Sequence, residues 1–276
     1  MITSRHPQRA SIPLWAWPTA LSLDAPLVAI CWQWFFAKNF GVELSWLEPA
    51  LLFLTVWLIY AADRLLDGLK LDLTKAHTFR HAFYIYNRQR VLSIWGIVFL
   101  VVATLALFHL KPPLLYLGFI TLSLTALYGA SIHYIKPFIS LTKELQVGFI
   151  FALGTSLVIW MQTQSFSLLM VSLGFALLCS FNCLLISKWE SNIDKDQDVL
   201  SLIRTLPVLK RILPFSLGAF TLLLLLGALL DSSALYLALA LASFGLLSLS
   251  LNRSLPVEFK RVLADFVLLT PLIGLI

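Results

Sequence analysis

Asp63 and Asp67 stand four residues apart, the spacing that puts two side chains on one face of a helix. They close the stretch Tyr60-Ala-Ala-Asp63-Arg64-Leu-Leu-Asp67, which follows the apolar run Leu51 to Ile59. The charges therefore fall where a hydrocarbon-embedded helix meets water. Like charges at this spacing destabilise a helix by about 0.2–0.5 kcal/mol, and a charge at membrane depth costs several times more. Two readings offset that cost: Arg64 pairs with its neighbours, or a divalent cation is shared with a phosphate ligand. Mg²⁺ suits the second, because it takes one or two carboxylates and completes its shell with water and substrate oxygens. A second acidic stretch, Glu190-Ser-Asn-Ile-Asp194-Lys-Asp196-Gln-Asp198, ends a later apolar run. As a helical extension it sets Glu190, Asp194 and Asp198 on one face; as a loop it is solvated polar chain. It is not a calcium loop of the helix–loop–helix type. Counting from Asp194, the sixth and twelfth positions are Val199 and Thr205, where Gly and Glu are required.

The elements that must position these groups are set by composition. The 276 residues are 59% hydrophobic and only 12% charged, with mean hydropathy +0.88. A soluble domain carries about 25% charged residues. The apolar runs are continuous rather than alternating, so the expectation is an all-α, polytopic membrane protein forming one domain over 1–276. Nine helices are expected, near Ile12–Ala37, Glu48–Leu66, Val91–His109, Pro113–His133, Glu144–Met161, Ser167–Lys188, Ile212–Leu230, Ala234–Leu251 and Val262–Ile276. Nine spans place 18 of the 20 Lys and Arg on one set of alternate loops, leaving Lys38 and Lys111 on the other. The positive-inside rule then puts the N-terminus and both acidic stretches in the cytoplasm and the C-terminus outside, as in a bacterial inner-membrane protein. The same rule accounts for the net charge of +6 without nucleic acid as a partner. Met1 to Ser11, with Arg5 and Arg9, is read as a cytoplasmic tail; a signal peptide has a shorter apolar core.

Other residues carry two readings each. Asp24 falls near the middle of the expected first helix, where a carboxylate is either functional or protonated and internally paired. Asn182 is an interhelical hydrogen bond or an acceptor-binding group. Asp265 follows Arg261 by four and suggests an ion pair. His77 and His81 have the spacing of a zinc pair, but no third ligand is evident. The basic, aromatic stretch Gly68–Arg90 lies at the lipid interface or forms a lid. Cys31, Cys179 and Cys183 all fall in apolar runs and read as small buried residues.

The two acidic stretches, after the second and sixth expected helices, resemble those of the UbiA superfamily of intramembrane prenyltransferases. That family's first motif reads Asn-Asp-x-x-Asp-x-x-x-Asp, often with Arg after the middle Asp. Here Asp63, Arg64 and Asp67 match, and Ile59 and Tyr60 stand at the leading Asn-Asp. The second motif ends Asp-x-x-x-Asp, matched by Asp194 and Asp198. Arg204-Thr-Leu-Pro-Val208, Lys136 and Lys143-Glu-Leu-Gln-Val-Gly148 resemble further family stretches, so the likeness covers nearly the whole chain. It implies a UbiA-like bundle with a cytoplasmic-side active site. Mg²⁺ on Asp63, Asp67, Asp194 and Asp198 would bind the diphosphate of an isoprenyl donor beside Arg64, Arg80 and Lys136. Tyr60 or Trp57 would stabilise the allylic cation. Glu190, Asn182 and Asp24 complete the implied substrate site, and the acceptor is an aromatic or other lipophilic molecule in the membrane. A non-catalytic lipid-binding relative and a small-molecule transporter are the alternative functions.

Overall fold

Pro18 and Pro26 punctuate the first apolar stretch, and the chain breaks between them. The computed structural model describes residues 12–69, 75, 77–134, 143–199, 201–231 and 233–275. A 3₁₀ turn, Leu14–Ala16, leads into α1 (Trp17–Ala20), and α2 (Asp24–Phe40) follows after a bend of 77°. Ser22 at the corner has φ 55°, a left-handed conformation. The single first helix expected from the sequence is therefore two. Pro18 sits in the first turn of α1, and Pro26 in the first turn of α2, where the missing N–H has no helical partner to lose.

The chain continues through α3 (Leu47–Asp67), α4 (Phe79–Tyr86), α5 (Arg88–His109), α6 (Pro112–Tyr134) and α7 (Lys143–Gln162). Then come α8 (Phe166–Asp196), α9 (Leu202–Thr205), α10 (Leu209–Asp231), α11 (Ala234–Leu251), α12 (Val257–Val267) and α13 (Leu272–Leu275). Among the described residues no strand occurs. Among the described residues seven helices are long and apolar enough to cross a membrane, or eight spans if α1 and α2 count as one. The chain is a multi-pass helical membrane protein. The count differs from the expected nine at the C-terminus. There α12 carries Glu258, Lys260, Arg261 and Asp265, and the helix gives way to a turn over 268–271, ending at Pro271. Proline disfavours helix in the residue before it.

The interrupted C-terminal segment nevertheless runs alongside α1 and α2. Trp15 meets Phe259 edge-on at 5.2 Å, the Trp32 indole N–H donates to Leu268 O at 2.8 Å, and Lys38 Nζ donates to Gly274 O at 2.8 Å. Trp32 is fully buried and stacks on Phe175 of α8 at 4.5 Å. Helix α8 is the central post, in contact with α7, α9, α10, α11 and α12. It crosses α7 most closely at Gly148, where an added Cβ would lie 2.5 Å from Ala176 O and 2.7 Å from Ser180 N. Only 6% of the spans in α5 and α6 is buried, so these two helices turn most of their surface to lipid.

Helix α8 is 31 residues long, about 46 Å at 1.5 Å per residue. Its apolar part is long enough to cross a bilayer, and its last two turns carry Glu190 and Asp194. Ser165 caps the other end, its Oγ accepting from Leu168 N at 3.1 Å. The C-termini of α3 and α8, the N-terminus of α12 and all of α4 gather at one end of the bundle.

Candidate functional site

Helix α4 touches both acidic stretches with two successive residues. Arg80 Nη2 donates to Glu190 Oε2 at 3.2 Å, and His81 Nε2 lies 4.0 Å from Asp67 Oδ2. Arg64 Nη1 lies 3.4 Å from Asp63 Oδ2 and 3.7 Å from Asp67 Oδ2, which realises the neighbour-pairing reading for that arginine. The side chains of Asp63 and Asp67 remain 48% and 34% exposed, open to a ligand arriving from the end of the bundle.

Glu190 sits deeper, only 7% exposed, between two guanidiniums. Arg261 Nε approaches its Oε1 to 2.6 Å, and Arg261 Nη1 also donates to Glu258 Oε2 at 2.8 Å. Burial and the neighbouring Arg261 and Arg64 lower Arg80 to about 10, partly offset by Glu190 and Glu258. His81 is lowered as well, by burial first and then by Arg80, Arg64 and Arg261. Its approach to Asp67 would favour the charged form, but burial and three arginines outweigh one carboxylate at 4.0 Å. The ring is neutral and shares a hydrogen bond with Thr78 Oγ1 at 3.1 Å.

The second stretch is helical to Asp196, so Glu190 and Asp194 share a face one turn apart. Asp198 does not join them. It sits at φ 55° after the Gln197 cap, with Asp198 N donating to Lys195 O at 3.2 Å and Val199 N to Asp194 O at 2.8 Å. This is a Schellman ending with Asp at the position glycine usually takes. Arg204 reinforces it: its Nη1 donates to Asp194 O and to Val199 O. The one-face expectation thus holds for Glu190 and Asp194 and is corrected for Asp198, because the helix stops first. Among the described residues no three His, Cys, Asp or Glu side chains converge on one point. Asp63 and Asp67 share Arg64, while Glu190 is held by Arg80 and Arg261 with Asp194 one turn beyond it; Mg²⁺ needs only one or two carboxylates from a protein when phosphate and water supply the rest. Lys136 lies outside the described residues.

A different group of predicted residues meets in the interior. Tyr60, Asn182 and Asp265, with Cys179 and Cys183, line a cavity of ≈ 30 Å³. Asn182 Nδ2 donates to Asp265 Oδ1 at 2.9 Å, the interhelical bond expected of it. Asp24 is the first residue of α2 rather than a mid-helix carboxylate. The expected Arg261–Asp265 ion pair gives way to the pairs of Arg261 with Glu190 and Glu258. All three cysteines are free. A larger, apolar concavity of ≈ 500 Å³, lined by Leu225, Leu229 and Leu237, lies at the α10–α11 turn. Sequence reasoning missed Glu258 and the central place of Arg261; the adjoining Lys260 and Arg261 just inside a helix start were its only local trace.

No family model matches the chain, and no characterised protein or solved structure is similar to it at a significant level.

Proposed function

We propose that the protein transfers an isoprenyl group from an isoprenyl diphosphate to a lipophilic acceptor in the membrane. The observation that carries this reading is the joining of the two acidic stretches through Arg80 and His81 of α4. It sets carboxylates for a divalent ion and guanidiniums for a polyanion at one end of an apolar bundle. Asp63, Asp67, Asp194 and Asp198 would hold Mg²⁺, which supplies the Lewis acidity that stabilises a departing diphosphate. Arg64 and Arg80, with Lys136, bind and orient the diphosphate oxygens. Tyr60, one turn before Asp63, turns an aromatic face into the interior where an allylic cation forms. The apolar tail lies among the helices, away from water. By the Lys and Arg bias, this end faces the cytoplasm.

The test is pyrophosphate release by purified protein with Mg²⁺, using geranyl, farnesyl and geranylgeranyl diphosphates and a crude lipid extract as acceptor source. Release should be lost in Asp63→Ala and in Asp198→Ala. Binding of the same diphosphates without turnover would instead make the chain a lipid-binding protein, as the absence of the leading Asn-Asp at Ile59 and Tyr60 suggests. A second reading, a transporter, draws on the interrupted α1–α2 and α12–α13 segments that carry Asp24 and Asp265. Discontinuous helices with carboxylates are the usual build of transporter sites. Neither binding nor release of the diphosphates, with solute movement in vesicles, would favour it.

A further inference from the structure

Three lysines on three helices converge on one turn of α8, Lys188-Trp189-Glu190-Ser191. Glu190 turns toward Arg80 and Arg261, whereas Lys188 and Ser191, three residues apart, share a different face. Lys210 of α10 reaches that face and donates from Nζ to Ser191 Oγ at 3.1 Å. Lys260 of α12 holds its Nζ 5.9 Å from the centre of the Trp189 ring and donates to Asn252 O at 2.6 Å. Although it carries a charge, Lys260 is only 8% exposed. The charges that act on Lys188 are those of Lys260 and Lys210, both of its own sign.

No carboxylate answers this charge. Among the described residues none of the three lysines has an ion pair. The acids two residues from Lys188 and from Lys260, Glu190 and Glu258, are taken by Arg80 and Arg261. Among the described residues the Lys188 ammonium and the Trp189 indole N–H also lack a hydrogen-bond acceptor. Helix α10 adds to the excess. Lys210 and Arg211 stand in its first turn, where the helix dipole favours acids, and that turn holds none. The cluster offers donors and positive charge, so its complement is an anion rich in oxygens, such as a phosphate ester.

The adjoining surface selects a lipid over a soluble phosphate. Arg211 heads a stripe along α10 of Phe215, Leu222, Leu226 and Leu229, all exposed, Phe215 by 79%. Gly218 interrupts the stripe. The nearest atom to a Cβ added there belongs to Leu247 of α11, at 3.9 Å, which leaves a notch between the two helices. An exposed apolar stripe on a membrane helix meets hydrocarbon, and here it begins beside the lysines.

We propose that Lys188, Lys210 and Lys260, with Trp189, bind the phosphate of an anionic phospholipid whose acyl chains lie along Phe215 and Leu222 of α10. Basic pockets between helices at a membrane surface hold such headgroups, and each lysine contributes about fivefold in affinity. The site is separate from the two acidic stretches, and its readouts need no prenyl donor.

The experiment uses the full chain, purified and delipidated in a non-ionic detergent. Phosphatidylglycerol with a dansyl label on one acyl chain is added, and binding is read by energy transfer from the tryptophans. The same measurement with labelled phosphatidylcholine sets the reference, and unlabelled phosphatidylglycerol, glycerol 3-phosphate and inorganic phosphate serve as competitors. Phosphatidylglycerol should bind at least tenfold more tightly than phosphatidylcholine, and only the unlabelled lipid should displace it at comparable concentration. The preference should fall about fivefold in Lys188→Gln and in Lys210→Gln and vanish in the double variant, while Lys111→Gln binds as the parent does. Lys210→Gln, at an exposed position, carries the expectation by itself should Lys188→Gln fail to fold. Equal binding of the two lipids, or an undiminished preference in Lys210→Gln, would overturn the site. Displacement by glycerol 3-phosphate or inorganic phosphate as readily as by lipid would overturn the lipid and make the ligand a soluble phosphate.

Discussion

Glu190 shows what a carboxylate does when two guanidiniums close around it. Removing it leaves Arg80 and Arg261 buried without their shared partner, and breaking a buried pair in this way costs about 3–5 kcal/mol. Glu190→Ala should therefore lower the thermal midpoint of the purified protein sharply, and Glu190→Gln, which keeps a hydrogen-bond acceptor, less so. His81 gives the pH dependence. Its folded form stays neutral while an unfolded histidine takes up a proton below about 6.5. The unfolded state then binds more protons, so stability is retained above about pH 6.5 and is lost as the pH falls below it. Melting scans from pH 8 to pH 5 should show that loss, and His81→Asn should reduce it. The acidic members of this cluster were legible because a carboxylate at the end of an apolar run is conspicuous. Arg261 was not, since its importance comes from Glu190 on a helix distant in sequence. Local spacing suggested Asp265 as its partner instead.

Among the helices, the ending of α8 separates stability from chemistry. Asp198 occupies a left-handed conformation that glycine adopts without steric cost, a difference of about 1 kcal/mol. Asp198→Gly should leave the melting temperature unchanged or raise it, while pyrophosphate release falls if the carboxylate holds Mg²⁺. A stable variant with full release would remove Asp198 from the proposed metal set. This ending was hidden in the sequence because no glycine marks it, and the run of polar residues reads equally as helix or loop. The expected helix at Ala234–Leu251 coincides with α11, since Ser233 and Asn252 bound an uninterrupted apolar run. The α1–α2 break was masked by apolar residues on both sides of Ser22. Its signals were Pro18 and Pro26, with Asp24 as the acid in the new helix's first turn.

At the scale of the molecule, charge divides the two ends. Lys210 donates to Ser191 Oγ at 3.1 Å and Lys260 to Asn252 O at 2.6 Å, at the same end as Arg80 and Glu190. Lys38 meets Gly274 at the other. Cysteines introduced singly for Lys210 and Arg253 should be labelled from one side of the membrane, and a cysteine for Lys111 from the other. Labelling of Lys210 and Lys111 from the same side would contradict the bundle as described. The Lys and Arg bias made this division readable, because it depends on which loops share a side and not on helix ends.

The hydrogen bonds from Trp32 to Leu268 and from Lys38 to Gly274 each close a loop of 236 residues. During synthesis the segment around α2 emerges early, and its lengthwise partner emerges only after every intervening helix has been made. Until then the Trp32 indole N–H lacks its final acceptor. The molecule is in this sense a clasp fastened last. A ribosome stalled before residue 257 would hold a chain in which α2 already packs on α3, α7 and α8 but lacks the carbonyl that accepts its indole N–H. The Trp32 indole N–H should therefore become protected from exchange only once the C-terminal segment is released.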